Sequence, residues 1–189
     1  MKEMLEKLLL KLSDAKKIVF MGIGEEKLSD DGFGPYIISE LLNYSNEKFL
    51  FINAGIDPMS RIEEVINFRA SHLVLLDTCT LHKPPGTVAI IERTSIKEHV
   101  PISTHTIPIH IVVDIVIEKL PNLKVFMLGI VPESLEGFFE LNLYKEDEIS
   151  LEERTKNIDI PFFKFNLTNK IQKVANEIIN IIKVIMLKI

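Results

Sequence analysis

Apolar and polar positions alternate along this chain in two periods, and the period switches repeatedly between them. Leu5, Leu8, Leu9 and Leu12 fall on one face at helical spacing, so residues 2–13 are expected to form a docked amphipathic helix closed by Ser13-Asp14. A compact apolar run follows, and a first strand is expected over 17–23. Ile37, Ile38, Leu41 and Leu42 then repeat at helical spacing, predicting an inward-facing helix from Pro35 to Asn43, with Pro35 in its first turn. A second strand is expected at 48–52, ending in Asn53-Ala54-Gly55. Asp57 before Pro58 reads as a helix cap, and Ile62, Val65 and Ile66 outline a short third helix.

His72 to Leu76 is almost wholly apolar, the mark of a strand buried on both faces, and it ends on Asp77. Pro84-Pro85-Gly86 breaks the chain. The next apolar run, 87–92, lies too close behind for a helical crossover, so it is expected as an antiparallel edge strand. Ile109, Val112, Val113 and Val116 predict a fourth helix, and 124–128 a fifth strand. Residues 137–165 are acidic and weakly periodic, and read as a polar excursion within a single domain spanning 1–189. A last helix is expected over 168–187, with Ile171, Val174, Ala175, Ile178, Ile182 and Ile185 on one side. The expected class is α/β: a three-layer α/β/α arrangement around a mostly parallel five-stranded sheet with one antiparallel edge strand.

Composition narrows the function. The 189 residues are 47% hydrophobic and 26% charged, a balance that supports a folded core. A net charge of -5, with no basic stripe interleaved with aromatics, argues against a nucleic-acid partner. Cys79 is the single cysteine, which excludes an internal disulfide and fits a reducing cytoplasm. No apolar run reaches the roughly 18 residues a membrane span needs. The charged, helical N-terminus does not read as a signal peptide.

The candidate chemistry gathers at strand ends. Gly22-Ile23-Gly24 follows the first strand, and Asp30-Asp31-Gly32-Phe33-Gly34 opens the next helix. In an open α/β sheet this is the ligand-binding edge. A dinucleotide site is disfavoured, because Lys27 stands where the fingerprint needs a third glycine and paired carboxylates would repel a pyrophosphate. The aspartates admit two readings, helix caps or hard ligands for a metal ion. Asp77 closes an apolar strand, where a carboxylate is costly to bury unless paired or metal-bound. His105 lies in a loop that reaches the same edge, as a ligand, a cap or a plain loop histidine; His72, His82, His99 and His110 read as structural or surface residues. Together Asp31, Asp77 and His105 would make a site for Ni²⁺ or Zn²⁺ with open positions. Cys79 reads as a packing residue before a ligand or nucleophile. A Gly-x-Ser-x-Gly elbow and a His-Glu-x-x-His helix are both absent from the sequence.

Taken in order, Gly22-Ile23-Gly24, Asp30-Asp31-Gly32-Phe33-Gly34-Pro35, Asn53-Ala54-Gly55, Leu75-Leu76-Asp77, Pro85-Gly86-Thr87, Ser103-Thr104-His105 with Ile107-Pro108, and Gly129-Ile130-Val131-Pro132-Glu133-Ser134 resemble the motifs of the [NiFe]-hydrogenase maturation endopeptidases. The likeness covers about residues 17–136. The Ser-Thr-His-x-x-Pro form is similar to the hydrogenase-3 and methanogen branch. The resemblance implies that Asp31, Asp77 and His105 are the catalytic, metal-binding residues. It implies a metal-dependent endopeptidase that removes the C-terminal extension of a hydrogenase large subunit precursor after nickel insertion, with nickel, borne by the substrate or bound as a divalent metal, as the recognition element. Asp30 or Glu25 is a candidate to orient a water. The alternative is a maturation chaperone that binds metal or the large subunit without cleaving it. Two positions depart from the family pattern: Glu25 stands where Asn is usual, and Asn53 where Asp is usual.

Overall fold

The computed structural model describes residues 1–100, 107–136 and 166–189. Five strands form one sheet: β1 (Ile18–Ile23), β2 (Phe49–Gly55), β3 (His72–Thr78), β4 (Val88–Glu92) and β5 (Lys124–Ile130). Their order across the sheet is β2-β1-β3-β5-β4. All pairs are parallel except β4 with β5, so β4 is an antiparallel edge strand as expected, although β5 lies between it and β3.

Six α-helices complete the described fold: α1 (Lys2–Lys11), α2 (Phe33–Leu41), α3 (Ile62–Phe68), α4 (Ile96–His99), α5 (Ile109–Lys119) and α6 (Asn169–Lys188). Period-two alternation in β1 sends Ile18 and Phe20 to one face, and Val19 and Met21 to the other. On the first face Leu8, Leu12, Ile37, Ile38, Leu41, Ile178 and Ile182 bring in α1, α2 and α6. On the second, Val65, Ile96, Val112, Val113 and Val116 bring in α3, α4 and α5. With both faces covered, β1 and β3 are buried along their whole length, which is why they read as unbroken apolar runs. Among the described residues no helix is long and apolar enough to cross a membrane.

Local chemistry sets the element ends. Asp57 accepts from the Ser60 N–H at 3.3 Å and caps the turn that leads into α3. Thr168 accepts from the Ile171 N–H at the start of α6. Pro35 sits in the first turn of α2, where an N–H has no partner within the helix to lose.

The structure departs from the sequence expectation in places. Strands β2, β3 and β5 each run two or three residues beyond the ends expected. Leu42 is 46% exposed instead of inward, because α2 tightens into a 3-10 turn at Leu42–Tyr44 and the helical phase is lost. The four-residue helix α4 is too short to show a period and was not expected. The 137–165 segment lies outside the described residues.

Candidate functional site

Strands β1 and β3 are neighbours, but the chain leaves them in opposite directions: β1 leads through α2 to β2 on one side, while the chain after β3 goes on to β4 and β5 on the other. Such a switch point leaves a crevice at the C-terminal strand ends. Asp31 comes from the turn after β1, and Asp77 from the end of β3.

Three glycines fold the first motif down onto the sheet. A Cβ on Gly34 would lie 2.1 Å from the Leu76 carbonyl oxygen, and one on Gly22 would lie 2.5 Å from the Gly34 oxygen, so the start of α2 rests directly on the β1 and β3 backbones. Gly24 has φ +130, a conformation that side chains disfavour, and a Cβ there would meet the Asp31 carbonyl oxygen at 1.9 Å. Ser29, a buried non-glycine residue with φ 46, opens the 3-10 turn Ser29–Gly32 that carries both aspartates.

That turn sends two adjacent carboxylates to different places. Asp31 is 1% exposed. Its Oδ2 accepts from the Glu25 N–H at 2.7 Å and its Oδ1 from the Thr78 hydroxyl at 3.0 Å. Asp77 is also buried, and its Oδ1 accepts from the Thr78 N–H at 2.6 Å and lies 3.5 Å from the same Thr78 hydroxyl. The structure thus brings Asp31 and Asp77 together around Thr78. His105, the third expected member, lies outside the described residues. Among the described residues no group of three or more His, Cys, Asp or Glu side chains is placed to hold a metal ion.

Asp30 is fully buried and faces the other way. Oδ2 accepts from the N–H groups of Glu133 and Ser134 at 2.8 and 2.9 Å, and from the Thr168 hydroxyl at 3.2 Å; Oδ1 accepts from the Thr168 N–H at 2.7 Å. Its own N–H donates to the Ser134 carbonyl. With both oxygens engaged by protein donors, Asp30 clamps the chain after β5 and the start of α6 to the first motif. The Glu25 carboxylate caps its own loop by accepting from the Lys27 N–H at 3.1 Å.

Sequence reasoning missed Thr78 and the clamp at Asp30. The partners lie 47 and 138 residues away, beyond any local pattern. At Asn53 the side chain has a partner of its own. Its side-chain amide donates to Glu26 at 2.9 Å, which a carboxylate at that position could not do. Cys79 is buried against Gly129, and burial, helped by the charge of Asp77, pushes its thiol up to about 12.

Comparison with known proteins agrees with this architecture. The profile of the family described as hydrogenase maturation protease (HycI) matches residues 35–154. A protein of Methanocaldococcus jannaschii whose name assigns it provisionally to the hydrogenase maturation proteases is 34% identical over 141 residues, covering 70% of this chain and 82% of its own. The hydrogenase 3 maturation protease of Escherichia coli is 26% identical over 121 residues, covering 64% of this chain and 76% of its own. Among solved structures, the [NiFe] hydrogenase maturation protease HycI of Thermococcus kodakarensis superposes with a TM-score of 0.71 at 20% identity, covering 95% of this chain and 97% of that one, which speaks to the fold. On the extent of the profile match and the identity to the archaeal relative, this chain belongs to the hydrogenase maturation protease family and is, as such, a peptide-bond hydrolase.

Proposed function

We propose that this hydrogenase maturation endopeptidase is metal-dependent and acts on the large subunit precursor of a [NiFe]-hydrogenase, removing its C-terminal extension after nickel has been inserted. The observation that carries the reading is the meeting of Asp31 and Asp77, two buried carboxylates from separate segments, at the C-terminal ends of β1 and β3. Two carboxylates brought together from separate segments are the oxygen donors that a shared cation takes. Hard oxygen donors with room for further ligands suit a divalent metal.

In this reading Asp31 and Asp77 grip the nickel carried by the precursor, and His105 supplies a third donor. A divalent ion, if held by these residues, would supply Lewis-acid chemistry for peptide hydrolysis. The chain's own part is positional: the Glu25 N–H and the Thr78 hydroxyl hold the Asp31 carboxylate, and the Thr78 N–H holds that of Asp77. Cysteine chemistry finds no support, because a thiol pushed up to about 12 and buried stays protonated at neutral pH. A cytoplasmic location accompanies the reading, in keeping with the lone cysteine.

The test is to incubate the purified chain with nickel-loaded precursor and follow the large subunit by gel mobility. The wild type should shorten it, and Asp31→Ala, Asp77→Ala and His105→Ala should not. Normal shortening by these variants refutes the assigned site. Binding without shortening by the wild type would favour the chaperone alternative.

A further inference from the structure

Thr78 is 2% exposed and stands between two carboxylates that come from different segments of the chain. Its main-chain N–H donates to Asp77 Oδ1 at 2.6 Å, and its hydroxyl donates to Asp31 Oδ1 at 3.0 Å. The same hydroxyl oxygen lies 3.5 Å from Asp77 Oδ1. One residue therefore contacts both acids, one through its backbone and the other through its side chain. A hydroxyl has a single proton, and the shorter contact assigns it to Asp31. We infer that Thr78 is a positioning residue that sets the spacing of the Asp31 and Asp77 carboxylates for one divalent cation.

The inference rests on the metal-site reading above. Its own support is geometric. Thr78 is the last residue of β3, paired in register with Ile130, so its backbone is fixed by the sheet. A β-branched side chain has few χ1 choices, and here the chosen one aims the hydroxyl across to the turn after β1. Asp31 sits on a short 3-10 turn with a left-handed residue at its start, and its carboxylate is tied down only by the Glu25 N–H and this hydroxyl among the hydrogen bonds described. Without the hydroxyl, Asp31 loses the contact that fixes it relative to Asp77. Partners of metal-ligating groups act in this way, by orienting the ligand.

The probe is Ni²⁺ alone, titrated calorimetrically into the full chain, with thermal unfolding measured on each variant. Thr78→Val keeps shape, branching and the backbone N–H but removes the hydroxyl. It should weaken Ni²⁺ binding roughly 10- to 100-fold, the usual cost of losing an outer partner. Thr78→Ser restores the hydroxyl and should bind close to the wild type even if it unfolds at a lower temperature. Thr78→Ala serves if the valine variant does not fold. Folded Thr78→Val or Thr78→Ala protein that binds Ni²⁺ like the wild type, while Asp31→Ala and Asp77→Ala do not bind, overturns the role of Thr78 and leaves the metal site standing. A loss of binding in Thr78→Ser equal to that in Thr78→Val also overturns it, because the hydroxyl would then not be the cause. Wild-type protein that takes up no Ni²⁺, or Asp31→Ala and Asp77→Ala variants that still bind it, overturns the inference, while the carboxylate site on precursor-borne nickel is decided by the cleavage test above.

Discussion

The main-chain N–H of Thr168 donates to Asp30 Oδ1 at 2.7 Å, joining the first turn of α6 to the turn after β1 across 138 residues of sequence. The same carboxylate holds the N–H groups of Glu133 and Ser134. Removing it leaves four donors, three main-chain N–H groups and the Thr168 hydroxyl, without this acceptor, and hydrogen bonds to a charged group are each worth about 1.5–3 kcal/mol. Asp30→Ala should therefore destabilise the fold by about 3 kcal/mol or more. For a chain of this length that is a fall of roughly 10 °C in the unfolding midpoint by calorimetry. A midpoint equal to that of the wild type would show that the clamp contributes little.

Gly34 is where α2 meets the sheet. Because a Cβ there would strike backbone atoms of Leu76 and Ile23, no flexible side chain can yield to make room. Gly34→Ala should cost about 3 kcal/mol, the upper range for overpacking. Gly55 makes the comparison. Its φ is +52, but nothing lies within 4 Å of an added Cβ, so Gly55→Ala should cost only about 1 kcal/mol, for the left-handed backbone alone. Urea unfolding of the two variants measures the difference, and equal midpoints would contradict the close approach of α2 to β3.

His72 opens β3 at the end opposite Asp77. Its ring is 2% exposed, Nε2 has no hydrogen-bond partner, and Asp14 Oδ1 lies 3.5 Å away with Lys124 bound to the same aspartate. Burial lowers its proton affinity below the usual 6.5, outweighing the attraction of Asp14. The unfolded chain therefore binds a proton first as pH falls. Stability should decline from about pH 6.5 downward until the folded-state value is passed, and be free of this effect above it. His72→Gln should flatten the pH dependence of the unfolding free energy between about pH 7 and 5. An unchanged slope would mean that the imidazole titrates alike in both states.

Cys79 should be chemically silent in the native protein. With the thiol buried and pushed up to about 12, iodoacetamide should fail to label it at pH 8 until denaturant is added. Cys79→Ala should retain precursor cleavage. Rapid native labelling, or a loss of cleavage in a folded Cys79→Ala variant, would give the thiol a part in the chemistry.

Much of this molecule was legible in its sequence because the determinants are local. Unbroken apolar runs located β1 and β3, helical spacing located α5 and α6, and the short Pro-Pro-Gly connection required an antiparallel edge strand. The meeting of Asp31 and Asp77 followed from the α/β class, in which the C-terminal strand ends and the turns after them share one edge. What the sequence did not disclose depends on tertiary distance. Nothing local separates Asp30 from Asp31, yet the 3-10 turn sends one to Thr168 and the other to Thr78. The phase loss at Leu42 was equally hidden, because it follows from a tightening of the helix that side-chain spacing does not record.

The central claim is that Asp31 and Asp77 act as one site on a hydrogenase precursor. Intact-mass measurement of a nickel-loaded large subunit after incubation with the wild type, Asp31→Asn or Asp77→Asn tests it most directly. The account predicts loss of the C-terminal segment with the wild type and an unchanged mass with either folded variant. Loss of the same segment with Asp31→Asn or Asp77→Asn at the wild-type rate would contradict it.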